Sequence, residues 1–370
     1  MPVLDILFYT FIVIVIIQYI FYGYIFSRFA FAKPTKFKQK NIGISVLVCA
    51  KNEAENLRKF IPSIVEQEYP NFEVILINDS STDDSLDIMK TFKAKHGNVK
   101  IVDVKPVEKF WGNKKYALTL GIKAASNDFL LFTDADCKPL SKHWIKAMSS
   151  HFSNTKSIVL GYGAYKKQNG SVLNKLIRFE TLVTAIQYFA YTKIGLPYMG
   201  VGRNLGYRKD TFFSANGFMS HMNLRSGDDD LFVNQVANSK NTSICFSKES
   251  FTESLPETSL KNWFNQKKRH VSASKHYKLN HKVLLSIFYF SQLLFWCLGI
   301  VLFAFLYNWI IVLSLFVLRI ILQYISIGYS AKKLDSRDTL ALLPFLELFL
   351  IFSQLVIFIS NLTTKPNNWK

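Results

Sequence analysis

Two aspartates, Asp134 and Asp136, stand two residues apart where the apolar run 129–132 ends, and Cys137-Lys138-Pro139 follows. In an extended chain such residues point to the same side. Two carboxylates on one side of a strand's carboxyl end make a hard-oxygen site for a divalent cation carrying phosphates. Taken alone, the pair reads equally well as an exposed acidic turn. Two more acidic groups change the balance. Asp79 lies in Asn78-Asp79-Ser80-Ser81-Thr82-Asp83, and Asp228-Asp229-Asp230 follows Ser226-Gly227. Asp79 can accept hydrogen bonds from a base or ribose. Asp134 and Asp136 can hold Mg²⁺ or Mn²⁺ against a diphosphate. Asp228 or Asp229 can take a proton from an attacking hydroxyl. Together they describe transfer of a group from a nucleoside diphosphate.

The elements that would position these residues alternate in type. Apolar runs at 42–50, 72–77, 99–104 and 129–133 read as buried strands. Helical stretches separate them, one opening at Lys51-Asn52-Glu53, one behind the Ser/Asp turn at 79–83 and one over 114–125. This order predicts a mainly parallel, doubly wound α/β sheet. Such sheets bind ligands beyond the carboxyl ends of their strands, where Asp79, Asp134 and Asp136 all fall. Residues 171–197 read as a helix of mixed character, packed in the core or lying in a membrane interface. Residues 200–207 read as a glycine-rich turn, a weak phosphate signal without a strand before it and a helix after it.

The chain has 370 residues, 33 of them Phe, and a net charge of +19. Its apolar surplus lies at the two ends. Residues 3–26 are long enough to cross a ~30 Å hydrocarbon layer. They lack the basic start and small-residue cleavage site of a signal peptide. Arg28, Lys33, Lys36, Lys38 and Lys40 follow, which directs the amino terminus outward. Three more spans are expected at about 283–306, 308–330 and 340–361. The loop at 307–309 is uncharged, whereas the next one carries Lys332, Lys333 and Arg337. The expected division is a first span over 1–27, one cytoplasmic domain over 28–282, and three spans within 283–370. The basic residues flank the spans, so a membrane partner is expected and nucleic acid is not. Four unpaired cysteines form neither a zinc pattern nor a disulfide framework and fit a reducing compartment. Arg319 and Glu347 fall inside spans, and such charges face a partner or a cavity. They are expected to pair with each other, or Arg319 to meet a lipid phosphate.

Six segments, taken in order, resemble the membrane-anchored branch of the family 2 glycosyltransferases, which includes cellulose, hyaluronan and poly-N-acetylglucosamine synthases and ceramide glucosyltransferases. They are Ala50-Lys51-Asn52-Glu53, the turn around Asp79, Gly112-Asn113-Lys114-Lys115-Tyr116-Ala117-Leu118, Asp134-Ala135-Asp136, Gly227-Asp228-Asp229 and Gln266-Lys267-Lys268-Arg269-His270. The resemblance covers roughly residues 42–275. It implies a Rossmann-like GT-A domain flanked by transmembrane helices and inverting transfer of a sugar from a nucleotide-sugar donor, UDP-linked first. The acceptor would be a lipid or lipid-linked glycan at the cytoplasmic face of a bacterial inner membrane. It also implies donor contacts from Ala50, Asn52, Glu53, Asp79, Lys114, Asp134, Gln266 and Arg269. A metal would sit on Asp136 with Asp134, and the base would be Asp229, with Asp228 the other candidate. If the acidic run caps a helix, Asp228 is the expected cap. His270 stands where the family's Gln-x-x-Arg-Trp segment has Trp, which favours one or a few transfers over processive synthesis. A non-catalytic nucleotide-sugar-binding subunit is the alternative of another class.

Overall fold

The first span is not one regular helix. α1 (Pro2–Tyr19) runs through a π-helical turn, Ile20–Ile25, into α2 (Phe26–Ala30). The computed structural model describes residues 2–34, 40–105, 113–224 and 226–363. Lys36 and Lys38 of the basic flank and Gly112 of the lysine segment lie outside them.

The apolar runs become strands, and β1, β2 and β4 are buried on both faces, as a sheet covered by helices requires, while β3 at the edge is partly exposed. β1 (Ile44–Ala50) leads to α3 (Ala54–Val65), β2 (Phe72–Asp79) to α4 (Ser85–Lys95), and β3 (Val99–Val104) to α5 (Asn113–Ala124). β4 (Phe129–Asp134) completes four parallel strands in the order β3-β2-β1-β4. Beyond it come β5 (Cys137–Pro139), α6 (Trp144–Ser149), β6 (Ile158–Leu160), β7 (Gly163–Tyr165) and α7 (Val172–Lys193). β8 (Leu205–Arg208), α8 (Lys209–Ser214), α9 (Asp230–Val236), β9 (Thr242–Ile244), β10 (Thr252–Ser254) and α10 (Leu260–Ala273) follow. The chain then enters α11 (Leu279–Ala304), α12 (Trp309–Lys333) and α13 (Leu343–Thr363).

The sheet is mixed, with β8 inserted antiparallel between β4 and β6 and β9 at the far edge. The segment read as a glycine-rich turn therefore ends in a strand. Gly206 serves packing there, since a Cβ would come within 2.8 Å of Leu131 and 3.0 Å of Phe152. A second sheet, β5-β10-β7, stands beside the end of β4.

Four helical stretches, Pro2–Ala30, Leu279–Ala304, Trp309–Lys333 and Arg337–Thr363, are long and apolar enough to cross a membrane. They match the expected layout of one amino-terminal and three carboxyl-terminal spans. α7 is a core helix. Its Phe179, Ile186 and Phe189 join a single apolar cluster that includes Leu47, Ile77 and Phe132 of the sheet and Phe26, Phe288, Ile327 and Leu346 of the spans.

Inside the bundle Arg319 is fully buried and meets Glu347 through both guanidinium tips, at 3.0 Å for Nη1–Oε2. Gln18 Oε1 accepts from Arg319 Nε and Nη2, and Gln323 Oε1 accepts from Nη1. Tyr22, Gln292 and Trp296 donate to the Glu347 carboxylate. The pairing expectation is the one realised, and Arg319 offers no face to lipid.

Candidate functional site

The register brings the acidic residues to one sheet edge. Ala50 pairs with Asn78, Cys49 with Asp134, and Asp79 with Val104, so β1, β2 and β4 end side by side. Asp79 is buried with Oδ2 unpartnered, and burial raises its carboxyl above the usual range. Asn52 and Ser80 both adopt positive φ (55°), a conformation tolerated at sharp functional turns. Asn52 fastens these turns, with its side-chain Oδ1 accepting from the Thr82 amide at 2.8 Å and its backbone amide donating to Ser81 Oγ at 3.1 Å. The Glu53 amide donates to Ser85 Oγ, and its carboxylate accepts from Asn56. Asn52 and Glu53 thus shape the loop around Asp79.

Lys114, in the first turn of α5, is the electrostatic centre. Its ammonium lies 3.0 Å from Asp134 Oδ1 and 3.1 Å from Asp228 Oδ2. Burial opposes its charge, but Asp134 and then Asp228 outweigh that and hold its pKa well above the ordinary lysine value. Against the same burial penalty, Lys114 draws the Asp228 carboxyl down. A small cleft is lined here by Cys49, Lys114, Thr133, Asp134, Asp228 and Asp229. Thr133 Oγ1 is buried in it without a partner.

The acidic run divides into three environments. Gly227, at φ +96°, makes a turn in which a Cβ would come within 2.4 Å of Leu231. Asp229, not Asp228, caps α9, with Oδ1 accepting from the Asp230 amide at 2.7 Å. Lys114 occupies Asp228 instead, which explains the difference. Asp229 Oδ2 accepts from the Gly202 amide at 2.7 Å. Burial, then the charges of Asp228 and Asp230, push the Asp229 carboxyl up to about 7. That value suits a base at neutral pH. Burial likewise lifts Asp230 to about 6, while the Tyr277 hydroxyl donates to it at 2.7 Å. α9 is also tied to α11, because Asn234 Nδ2 meets His281 Nδ1 at 2.9 Å and Asn234 Oδ1 accepts from the Lys278 amide.

Asp134, Asp136 and Cys137 can bring one ligand atom each to within 4.8 Å of one another. Burial, then the Asp134 charge, raises the Asp136 carboxyl. A divalent cation between the two carboxylates would remove that penalty, and their hard oxygens fit Mg²⁺ or Mn²⁺.

Gln266 and Arg269 ride on α10. Gln266 Oε1 is buried and unpartnered. Ser226 Oγ donates to the Arg269 carbonyl at 3.4 Å, which brings α10 against the acidic loop. The helix is docked on α13 by Trp263 against Phe349 and by the Asn361 side-chain amide, which donates to the Lys268 carbonyl at 3.1 Å. His270 is exposed. Ala50 contributes through its place at the end of β1.

Two residues escaped the sequence reading. Lys115 is buried, and its ammonium donates to the carbonyls of His221 (2.8 Å), Leu224 (2.9 Å) and Ser226 (2.7 Å), pinning the loop before Asp228. Its only signal was a second lysine beside Lys114. Arg203 lies over the Tyr165 ring at 4.1 Å and donates to Ser254 Oγ at 2.9 Å, and its charge acts on Asp136. It sits within the stretch read as a turn.

The family model described as glycosyl transferase family 2 matches residues 45–215. Those residues form a glycosyl transferase family 2 domain. The poly-beta-1,6-N-acetyl-D-glucosamine synthase of Staphylococcus epidermidis is 38% identical over 94 residues, which are 25% of this chain and 22% of that protein. A dolichyl N-acetyl-alpha-D-glucosaminyl phosphate 3-beta-D-2,3-diacetamido-2,3-dideoxy-beta-D-glucuronosyltransferase of Methanococcus voltae is 28% identical over 185 residues, covering 46% of this chain and 50% of that one. The chain thus spans half or less of the length of these two relatives. Among solved structures, the mannosyltransferase PcManGT of Pyrobaculum calidifontis, in complex with GDP-Man and Mn²⁺, aligns over 87% of this chain and 98% of its own. The TM-score is 0.54 and the identity 15%. That likeness shows a shared GT-A fold. The transferase domain match ends before Asp228, so the acidic run and α10 lie beyond it.

Proposed function

We propose that the chain is an inverting glycosyltransferase that moves a sugar from a nucleoside diphosphate, UDP first, to a hydroxyl or phosphate of a lipid or lipid-linked glycan. The reaction would take place at the cytoplasmic face of the membrane. The observation that carries this reading is Lys114, held between Asp134 and Asp228 at the mouth of a cleft that also contains Asp229. One cationic group thereby links the proposed diphosphate seat to the acidic run that holds the proposed base.

In this reading Asp79 offers its unpartnered oxygen to the base or ribose of the nucleotide. Lys114 and Arg269 lie toward the diphosphate, with Gln266 beside Arg269. Asp134 and Asp136 would hold Mg²⁺ or Mn²⁺, which when bound offsets the charge gathering on the departing diphosphate. Asp229 takes the proton of the acceptor hydroxyl. The acceptor oxygen then bonds to the anomeric carbon while the bond from that carbon to the phosphate oxygen breaks, and the diphosphate leaves with the electron pair. A phosphate acceptor would need no base, so dependence on Asp229 separates the two acceptor classes. A lipid-linked acceptor is supported by the Methanococcus relative, named for a dolichyl N-acetyl-alpha-D-glucosaminyl phosphate, and by four helices able to span a membrane.

The test is a screen of UDP-, GDP- and TDP-sugars against native lipid extract, reading nucleotide release and product mass. Release should require the extract and a divalent cation, and Asp136→Ala should abolish it without loss of folded protein. Full turnover by Asp136→Ala would overturn the site. Long product ladders from one labelled donor would move the reading to processive synthesis.

A further inference from the structure

A stripe on the outer surface of α12 ends in two cations with no internal use. Ile321 and Ile325 form one row along the helix, and Tyr324 and Gly328 form the next. Members of each row are four residues apart and share a face. Ile321, Tyr324, Ile325 and Tyr329 are all exposed. The groove extends from Ile320 to Lys332 and holds about 610 Å³. At 1.5 Å per residue its twelve steps cover roughly 18 Å, close to one leaflet's share of a ~30 Å hydrocarbon layer. Lys332 closes the row begun by Tyr324 and Gly328, and Arg337 reaches over the same end from the next segment.

The neighbouring lysine makes the contrast. Lys333 Nζ donates to the carbonyls of Phe29, Ala30 and Ala32, completing the end of α2. Lys332 and Arg337 are exposed, and neither side chain forms an ion pair or hydrogen bond with a described residue. Orienting a span needs positive charge near its end. It does not need two unpaired cations at the head of one apolar groove.

We propose that this groove binds an anionic phospholipid of the cytoplasmic leaflet. The phosphate would lie between Lys332 and Arg337, an acyl chain along Ile321, Ile325 and Gly328, and Tyr324 and Tyr329 at the sides. The one-leaflet length of the groove selects a phospholipid over a long polyprenyl chain. The inference rests on the membrane reading of the four helices and is independent of the transfer reaction.

The full chain in phosphatidylcholine nanodiscs, with a trace of pyrene-labelled phosphatidylglycerol, tests it through tryptophan-to-pyrene energy transfer. Labelled phosphatidylglycerol should be enriched at the protein about tenfold over labelled phosphatidylcholine. K332Q/R337Q should abolish the headgroup preference. Gly328→Leu should displace the labelled chain while both cations remain. A Cβ at that position meets only Leu340 Cδ1, at 3.9 Å, so the fold accommodates it. Raising salt should weaken the preference in the unaltered chain, which needs no variant. Equal association of the two labelled lipids, or full preference retained in K332Q/R337Q, overturns the site. Displacement of the label by polyprenyl phosphate in preference to unlabelled phosphatidylglycerol overturns the assignment of its occupant. Turnover in the same discs reports on the transferase reading separately.

Discussion

Two of the places where a covered cation meets carboxylates, Arg319 and Lys114, are finished differently. Around Arg319 every donor is used. Glu347, Gln18, Gln323 and Tyr22 take its five N–H groups, and the guanidinium lies over Phe295 at 4.5 Å. Around Lys114 the accounts stay open. Asp79 Oδ2 and Thr133 Oγ1 are buried polar atoms without partners. Each such atom costs free energy unless something arrives to meet it. The closed network is what a membrane interior requires of a charge. The open one is what a ligand site requires of a protein. Buried charge alone does not separate structure from function; between these two sites, unmet hydrogen-bonding capacity makes the difference.

The comparison breaks most visibly at Asp229. Asp229→Asn should lower turnover about 10²–10⁴-fold, the range of a lost general base. The unfolding midpoint should hold or rise, because a carboxylate disfavoured by burial and by two like charges is removed. Unfolding caused by that substitution would make the acidic run structural, like Arg319.

At the closed network the outcome should reverse. Glu347→Leu strands a buried guanidinium and should cost about 3–5 kcal/mol, read by thermal unfolding in detergent. The double variant Arg319→Met/Glu347→Leu should regain most of that loss. Turnover per folded molecule should stay near normal in the double variant.

Lys115 tests the ground between them. Lys115→Met leaves three carbonyls without their ammonium, at a cost of about 1–3 kcal/mol. Because those carbonyls precede Asp228, turnover should fall with little change in donor KM, and Lys115→Arg should restore part of it. A pure loss of stability with normal turnover would make Lys115 only a fastener.

The mildest test uses pH alone. As the proposed base, Asp229 would have to be ionised, so turnover should fall about tenfold per pH unit below about 7. Stability should show the opposite sign. A carboxyl raised on folding binds its proton more tightly in the native state than in the unfolded one. Its contribution to stability is therefore present at low pH and is lost as pH rises from about 4 to about 7. An acid limb unchanged in Asp229→Asn would sink the assignment.

Much of this could be read along the chain because it is local. Strand ends, the Asp-Ala-Asp spacing and the spans each need only neighbouring residues, and Asp79 and Asp134 came to one edge because parallel strands put them there. What stayed hidden depends on distant partners. β8 is a strand only because β4 and β6 lie on either side of it, and nothing in Leu205-Gly206-Tyr207-Arg208 states that. Asp229 rather than Asp228 caps α9 because Lys114, over a hundred positions earlier, takes Asp228. Lys115 gained its role from a loop equally far away. The Arg319–Glu347 pair was legible because a bilayer leaves a charge so few alternatives.

The ties from α9 to α11 carry a further consequence. Tyr277 grips Asp230, and Asn234 joins His281 at the root of a membrane helix. Asp229 opens the seven-residue helix that those contacts anchor. Its height above the bilayer is therefore fixed like the mark on a depth gauge. For the proposed lipid-linked acceptor, the reacting oxygen would have to arrive at that level, so the distance from lipid tail to that oxygen would become a quantity the protein measures.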